Sequence, residues 1–396
     1  MPAGTGRVLL AWEGGAGRGH IVTLKTIAEA LGDGFVYDAA LCRMDYAAEI
    51  APLCELVFPG AWLGFNATRR QASGNPNTAT WAEFLGDLGF ADSAILIRQI
   101  QWWLTTIQAR QSSLMVGDFS PIAMLAARVA GIPMVAVGTG YSTPPSGMDS
   151  FPILLDEHTT CIYGEPELVA AVNGALLHFD LPPIQRFSDI YRGAVSMPRT
   201  IAALDPYGPW RSEPLLPPLN EALPRSLGRG DEVFIYFSTD ERSDPALLEA
   251  ITGLGVPTRL YMPGITDELA ARLAASGMFI ERSPVPLELI AQRTRLMLHA
   301  GQHGSLCMAL GLGLPQVAFP QHLEHLYHAR RAAQFGTVTV FQRHQRDVAA
   351  IRAAILGAHA DPDLPARARA LSDRLYPSLF GDIARLVRAR LLPLLG

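Results

Sequence analysis

Lysine is almost absent from this chain: Lys25 is the single one, and arginine supplies the rest of the 32 basic residues. Set against 37 acidic residues, that leaves a formal net charge of −5. A phosphate backbone calls for a basic face, so a nucleic-acid partner is not expected. Cysteine is scarce as well. Cys42, Cys54, Cys161 and Cys307 are scattered without a C-x-x-C pair, which argues against a disulfide framework or a zinc ribbon and for reduced thiols. No run of eighteen uninterrupted apolar residues occurs, so no membrane span is expected. The apolar run near the N-terminus is too short for a signal segment and leads straight into glycines. Together these absences point to a cytoplasmic protein.

What is plentiful is apolar material: 49% of 396 residues are hydrophobic and only 17% charged. That is too much chain for one ordinary core and enough for two. Strand and helix signals alternate along it. Residues 7–12 (RVLLAW) read as a buried strand, followed by a glycine turn and a helix over 21–31. Further strands are expected at 35–41, 114–117 and 133–137, and helices at 94–108 and 123–130. Residues 207–225 are dense in proline, which suits neither a central strand nor a helix interior, and read as a linker. The alternation then restarts, with strands expected at 233–237, 258–261, 278–281, 296–299 and 316–319. Repeated strand–helix–strand units imply an α/β protein of two doubly wound parallel sheets.

Two glycine turns carry the chemistry. The first, GGAGRGH, lies between a strand and a helix and ends on His20. It lacks the spacing of a dinucleotide-binding fingerprint, so a dehydrogenase is disfavoured. His20 at a helix start is a candidate general base, and the positive helix end favours its neutral ring. Asp118, directly after the strand LMVG, is placed on the same sheet edge and is the candidate partner that fixes the ring's tautomer. As an alternative, Asp118 caps the helix that follows it.

The second turn, HAGQHGS, runs from His299 to Ser305 into an apolar helix. Its backbone N–H groups and helix dipole suit an anion, most naturally a diphosphate, with His299 and Ser305 adding hydrogen bonds. Glu324 and His325 stand where a later helix begins. The spacing of His299, His303, His322, His325 and His328 matches neither zinc-protease motif, and no metal is expected. Aromatic residues Trp62, Phe65 and Trp81 punctuate a Gly/Asn/Thr-rich stretch over 60–90, suited to an apolar acceptor. Trp102 and Trp103 are further candidates there, with at least one expected in the core.

Taken together, GRGH with its helix, VGD about a hundred residues later, and HAGQHGS followed by LGLPQVAFPQHLEHLYHARRAAQFG resemble the family 1 glycosyltransferases of GT-B fold, particularly the bacterial macrolide and natural-product type. The resemblance implies two Rossmann-like domains facing a central crevice: residues 1–212 binding the acceptor and 213–396 binding the nucleotide sugar, with a last helix (about 378–396) packing back on the first domain. It implies an inverting transfer of sugar from a UDP- or dTDP-linked donor to a hydroxyl of a small acceptor, with no cofactor, in a monomer or homodimer. His20 would be the base and Asp118 its support. Ser238, Thr239, Val285, His299, Gly301, Gly304, Ser305, Glu324 and His325 would hold the donor. Departures from the family's pattern are Glu324-His325 for Asp-Gln, His328 for Asn, Val285–Leu287 for a tryptophan or glutamine, and Cys307 or Met308 where a ribose-binding glutamate is usual. A GT-B epimerase or hydrolase, and a catalytically silent binding partner, are the alternatives.

Overall fold

The computed structural model describes residues 6–15, 17–238, 240–342 and 347–395, without the side chains of Asp240 and Arg242. The chain forms two compact units, one made of Met1–Leu216 with Asp382–Gly396 and the other of Pro217–Gly381. The division thus falls four residues beyond the expected 212/213, and the second unit ends at Gly381 rather than at the C-terminus.

In the first unit, β1 (Arg7–Trp12), β2 (Val36–Leu41), β3 (Leu56–Pro59), β4 (Leu114–Asp118), β5 (Met134–Gly138) and β6 (Val195–Pro198) form one sheet. All pairings are parallel, in the order β3-β2-β1-β4-β5-β6. The central strands are unbroken apolar runs because helices cover both faces: Val8 to Trp12, Leu114 to Val116 and Val135 to Val137 are buried. The helix Gly19–Leu31 turns Ile21, Leu24, Ile27 and Ala28 inward and stops at Gly32, where φ is +84°. Against it packs the helix Ile383–Leu391, whose Ile383, Val387 and Leu391 join the same core. Burying three such side chains is worth about 1.5–3 kcal/mol each. Arg388 adds a hydrogen bond to the Ala30 carbonyl, closing that helix end.

The second unit repeats the topology. Strands β7 (Glu232–Tyr236), β8 (Thr258–Tyr261), β9 (Phe279–Glu281), β10 (Thr294–His299), β11 (Gln316–Ala318) and β12 (Val338–Val340) run parallel in the order β12-β11-β10-β7-β8-β9. Both orders are the doubly wound Rossmann order, with the switch point between β1 and β4 and again between β7 and β10. Ligands of such sheets bind outside the carboxyl ends of the strands at the switch point.

Three edge strands, β3, β6 and β12, were not expected. They are three or four residues long, and β3 and β12 are partly exposed, so they lack the long apolar run that marks the centre. The proline-rich stretch is no loose linker either. Tyr207 is fully buried and donates to the Tyr141 carbonyl, Arg211 pairs with buried Asp205 at 2.6 Å, and Leu216 bridges to Arg199. Among the described residues, no helix is long and apolar enough to cross a membrane.

Candidate active site

At the first switch point, parallel register sets Trp12 of β1 beside Asp118 of β4. The chain leaves β1, turns through glycines and enters the helix Gly19–Leu31, whose second residue is His20. His20 Nδ1 lies 3.1 Å from Asp118 Oδ1 although 98 residues separate them. The carboxylate is nearly buried and the imidazole side chain about one-fifth exposed. An acid fixed beneath a ring with solvent access holds Nδ1–H and leaves Nε2 as the basic nitrogen. Asp118 does not cap the next helix, Pro121–Ala130, whose N-cap is Ser120.

The ring of His20 stacks on Trp12 at 5.0 Å between centroids and leans on Phe119 at 6.1 Å. Phe119 holds a left-handed backbone, φ +48°, an uncommon state for an aromatic residue. Gly15 closes the other side. Its φ is +86°, and a Cβ there would stand 2.4 Å from His20 Nε2, so glycine is required both by the backbone and by the His20 ring.

The aromatic candidates separate. Trp62 and Phe65, 63% and 51% exposed, follow β3 on the surface. Trp81 is fully buried: its indole N–H donates to the Tyr191 hydroxyl at 2.6 Å, and its ring packs on Phe119. It backs the wall beside His20 and presents no surface to an acceptor. Trp103 is likewise in the core. The polar loop between these residues folds on buried Arg70, which donates to Asp87 at 2.7 Å and to Glu83 at 3.1 Å.

At the second switch point, His299 ends β10 and the turn leads into the helix His303–Leu312. His299 is fully buried. Its Nδ1 accepts from the Gly301 N–H at 3.0 Å, and its Nε2–H donates to Gln316 Oε1 at 2.8 Å. With both nitrogens engaged, and burial pushing its pKa down to about 4, His299 braces the turn. The two ring nitrogens expected to meet a diphosphate are here engaged within the protein.

Gly301 adopts φ +78°, and a Cβ on it would press on the His325 carbonyl at 3.2 Å. The turn and the helix Leu323–Ala333 are therefore brought together, with Glu324 in that helix's first turn. Ser238, just after β7, exchanges hydrogen bonds with Gln302 at 3.1–3.2 Å, joining two of the expected donor segments. Gly304 is exposed and Ser305 buried in the first turn of the helix His303–Leu312. Thr239 lies outside the described residues. Val285 stands apart, beyond edge strand β9, packed on the cluster of Phe234, Ile290 and Met297.

Burial, reinforced by neighbouring imidazoles, pushes His325 and His328 well below the usual histidine range. Neither ring nitrogen of His328 has a hydrogen-bond partner, and its ring meets that of His303 at 4.8 Å. Cys307 is buried in the core, so it offers nothing in place of a ribose-binding carboxylate. Among the described residues, no group of three or more His, Cys, Asp or Glu is placed to hold a metal ion.

Sequence reasoning missed Trp12, Glu13, Gly15, Phe119 and Gln316. Trp12 and Glu13 had one visible signal, a tryptophan and a carboxylate at the end of an apolar strand just before a glycine turn.

The fold is GT-B, two Rossmann-like domains each built on a six-stranded parallel sheet. No protein-family model matches the chain. The glycosyltransferase GtfC of Amycolatopsis orientalis is 27% identical over 245 residues, 51% of this chain and 58% of that protein, so the match spans little more than half of that relative. Among solved structures, the spinosyn rhamnosyltransferase SpnG complexed with thymidine diphosphate is similar at a TM-score of 0.66 and 18% identity, covering 97% of this chain and 99% of that one. The calicheamicin glycosyltransferase CalG4 is similar at 0.63 and 15% identity, over 98% and 100%. VinC, a glycosyltransferase in complex with dTDP, is similar at 0.63 and 17% identity, over 98% and 99%. The proteins this chain is similar to are thus glycosyltransferases, as the resemblance in the sequence implied.

Proposed function

We propose that the chain is a glycosyltransferase that moves a sugar from a nucleoside-diphosphate donor, thymidine- or uridine-linked, to a hydroxyl of a small apolar acceptor. The observation that carries this reading is the His20–Asp118 pair, 3.1 Å apart at the switch point of the first sheet. The similarity to GtfC, SpnG, CalG4 and VinC supports it.

In this reading His20 Nε2 takes the proton of the acceptor hydroxyl while Nδ1–H stays on Asp118. The imidazolium that forms is stabilised by the carboxylate and by the Trp12 face, which lies within cation–π range. The acceptor oxygen bonds to the anomeric carbon as the carbon–oxygen bond to the diphosphate breaks, and the leaving diphosphate keeps the electron pair. One displacement through an oxocarbenium-like state inverts the configuration. The diphosphate sits at the start of the helix His303–Leu312, where N–H groups and the helix dipole take up its charge without a metal. Ser305, Gly304 and Gly301 line that turn, Ser238 with Gln302 flanks it, and Glu324 with His325 reads the sugar. Trp62 and Phe65 meet the acceptor. Cys42, Cys54, Cys161 and Cys307 form no disulfide among the described residues, which fits an enzyme of the cytoplasm.

A thermal-shift panel of nucleoside diphosphates tests the reading, since ligand at a hundred times its Kd stabilises by about 2.7 kcal/mol. Thymidine or uridine diphosphate is expected to raise Tm, and the matching donor sugar to be transferred to an aromatic or macrolide acceptor. A panel with no shift and no transfer contradicts it.

A further inference from the structure

We infer that Glu13 is a positioning residue for the His20–Asp118 pair: it caps the helix Pro121–Ala130 from the end of β1 and so leaves the Asp118 carboxylate to His20. This rests on the reading of that pair as the base of a sugar transfer.

A helix that starts directly after Asp118-Phe119-Ser120 needs acceptors for its first N–H groups, and the local side chains able to serve are Asp118 and Ser120. Neither does. Ser120 makes no capping bond; its Oγ lies 2.8 Å from the Ala11 carbonyl and 3.0 Å from that of Asp118, and donates there. Asp118 turns its Oδ1 to His20. The N–H groups of Ile122 and Ala123 donate instead to Glu13 Oε2 and Oε1, each at 2.9 Å, from a residue 109 and 110 positions away. The indole N–H of Trp103 donates to the same carboxyl.

Three donors therefore converge on one side chain that is wholly buried. A carboxyl places an oxygen on both arms at that reach, and even its protonated arm still accepts through the hydroxyl oxygen; glutamine would turn an NH2, which accepts nothing, toward an N–H donor. The position costs energy, because burial pushes the Glu13 carboxyl up to about 8 against the downward pull of its donors. A cap needed for helix stability alone is met by a serine or aspartate at the N-cap without that cost.

What the placement adds is linkage. Glu13 follows Trp12, whose ring carries His20, and its carbonyl accepts from Leu63 N at 2.9 Å in the loop that bears Trp62. One residue ties together the stack under the base, the turn that presents Asp118 and the aromatic loop. When the cap is removed, the freed N–H groups draw on Asp118, and the His20 hydrogen bond loosens.

The test uses the full chain labelled with 15N-histidine. A downfield Nδ1–H proton of His20, assigned by its loss in His20→Gln, reports the bond to Asp118 with no substrate present. It is expected to vanish in Asp118→Asn, to broaden or vanish in Glu13→Gln, and to persist in Tyr37→Phe, which removes a hydrogen bond at the far end of the same sheet. In steady-state transfer assays, kcat of Glu13→Gln falls about tenfold to a hundredfold with donor KM unchanged, the size expected of a displaced reacting group. If Glu13→Gln does not fold, Glu13→Asp, which withdraws both oxygens by one methylene, carries the same expectations. A Glu13 variant with lowered Tm but an intact downfield proton and unchanged kcat overturns the inference. A parent enzyme without transfer activity overturns the proposed function instead, while the proton signal still reads the role of Glu13.

Discussion

Asp118 and His299 occupy the same place in two sheets of one topology: each is the last residue of the fourth strand, beside the switch point. Asp118 turns its carboxylate to a histidine that solvent reaches. His299 turns its ring to Gln316 and to its own turn, where solvent does not reach. In the proposed reading, the equivalent position serves a proton transfer in the first unit, and in the second it serves the shape of the turn that receives the diphosphate. What separates them is the partner. A carboxylate supports an imidazolium, whereas a neutral amide and a backbone N–H in a dry site hold the imidazole uncharged.

The largest effect expected of breaking this contrast falls on the first unit. Asp118→Asn is expected to lower kcat by about 10²–10⁴ while leaving thymidine diphosphate affinity unchanged, as steady-state kinetics and calorimetry would show. Gly15→Ala comes next: the added methyl collides with His20 Nε2, so kcat falls about a hundredfold, and the left-handed backbone costs about 1–2 kcal/mol of stability in denaturant unfolding. Against these, His299→Asn in the second unit is expected to cost about 1–3 kcal/mol of stability through its orphaned partners. Its effect on affinity is expected to be equal for nucleoside and diphosphate. Ser305→Ala should do the reverse, weakening diphosphate by about fivefold, the worth of one hydrogen bond, and sparing the nucleoside.

The smallest effect is on pH dependence, and it has opposite signs in the two units. His299 is held near 4, below its ordinary 6.5, so the folded state favours the neutral ring. Its contribution is present above pH 6.5 and is lost as pH falls toward 4; buried His325 and His328 act in the same direction. Glu13 is raised from 4.5 to about 8, so its contribution is full below 4.5 and is lost as pH rises through 8. Unfolding followed by one probe in each unit is expected to show the second unit weakening as pH falls from 6.5 toward 4 and the first weakening as pH rises from 4.5 to 8. Glu13→Gln should flatten the first unit's fall between pH 4.5 and 8.

Much of this was legible in the chain. The central strands announce themselves because burial on both faces leaves nothing but apolar residues, so the expected span 258–261 coincides with β8 and 7–12 with β1. His20 and Asp118 were legible for a topological reason: residues that follow adjacent parallel strands meet at one edge. Which way a side chain turns was not legible. Nothing in HAGQHGS tells that His299 points back to a glutamine seventeen positions on, or that Trp81 is buried while Trp62 is exposed. Glu13 stayed hidden because its partners, Trp103, Ile122 and Ala123, lie some 90 to 110 residues away. The short edge strands lacked any signal of their own.

The most direct test of the account is the turnover of His20→Ala beside its affinity for thymidine diphosphate. In that variant kcat is expected to fall by about 10²–10⁴ while the nucleotide binds as it does to the parent. Turnover equal to that of the parent would remove His20 from the chemistry and contradict the assignment of the first switch point as the catalytic site.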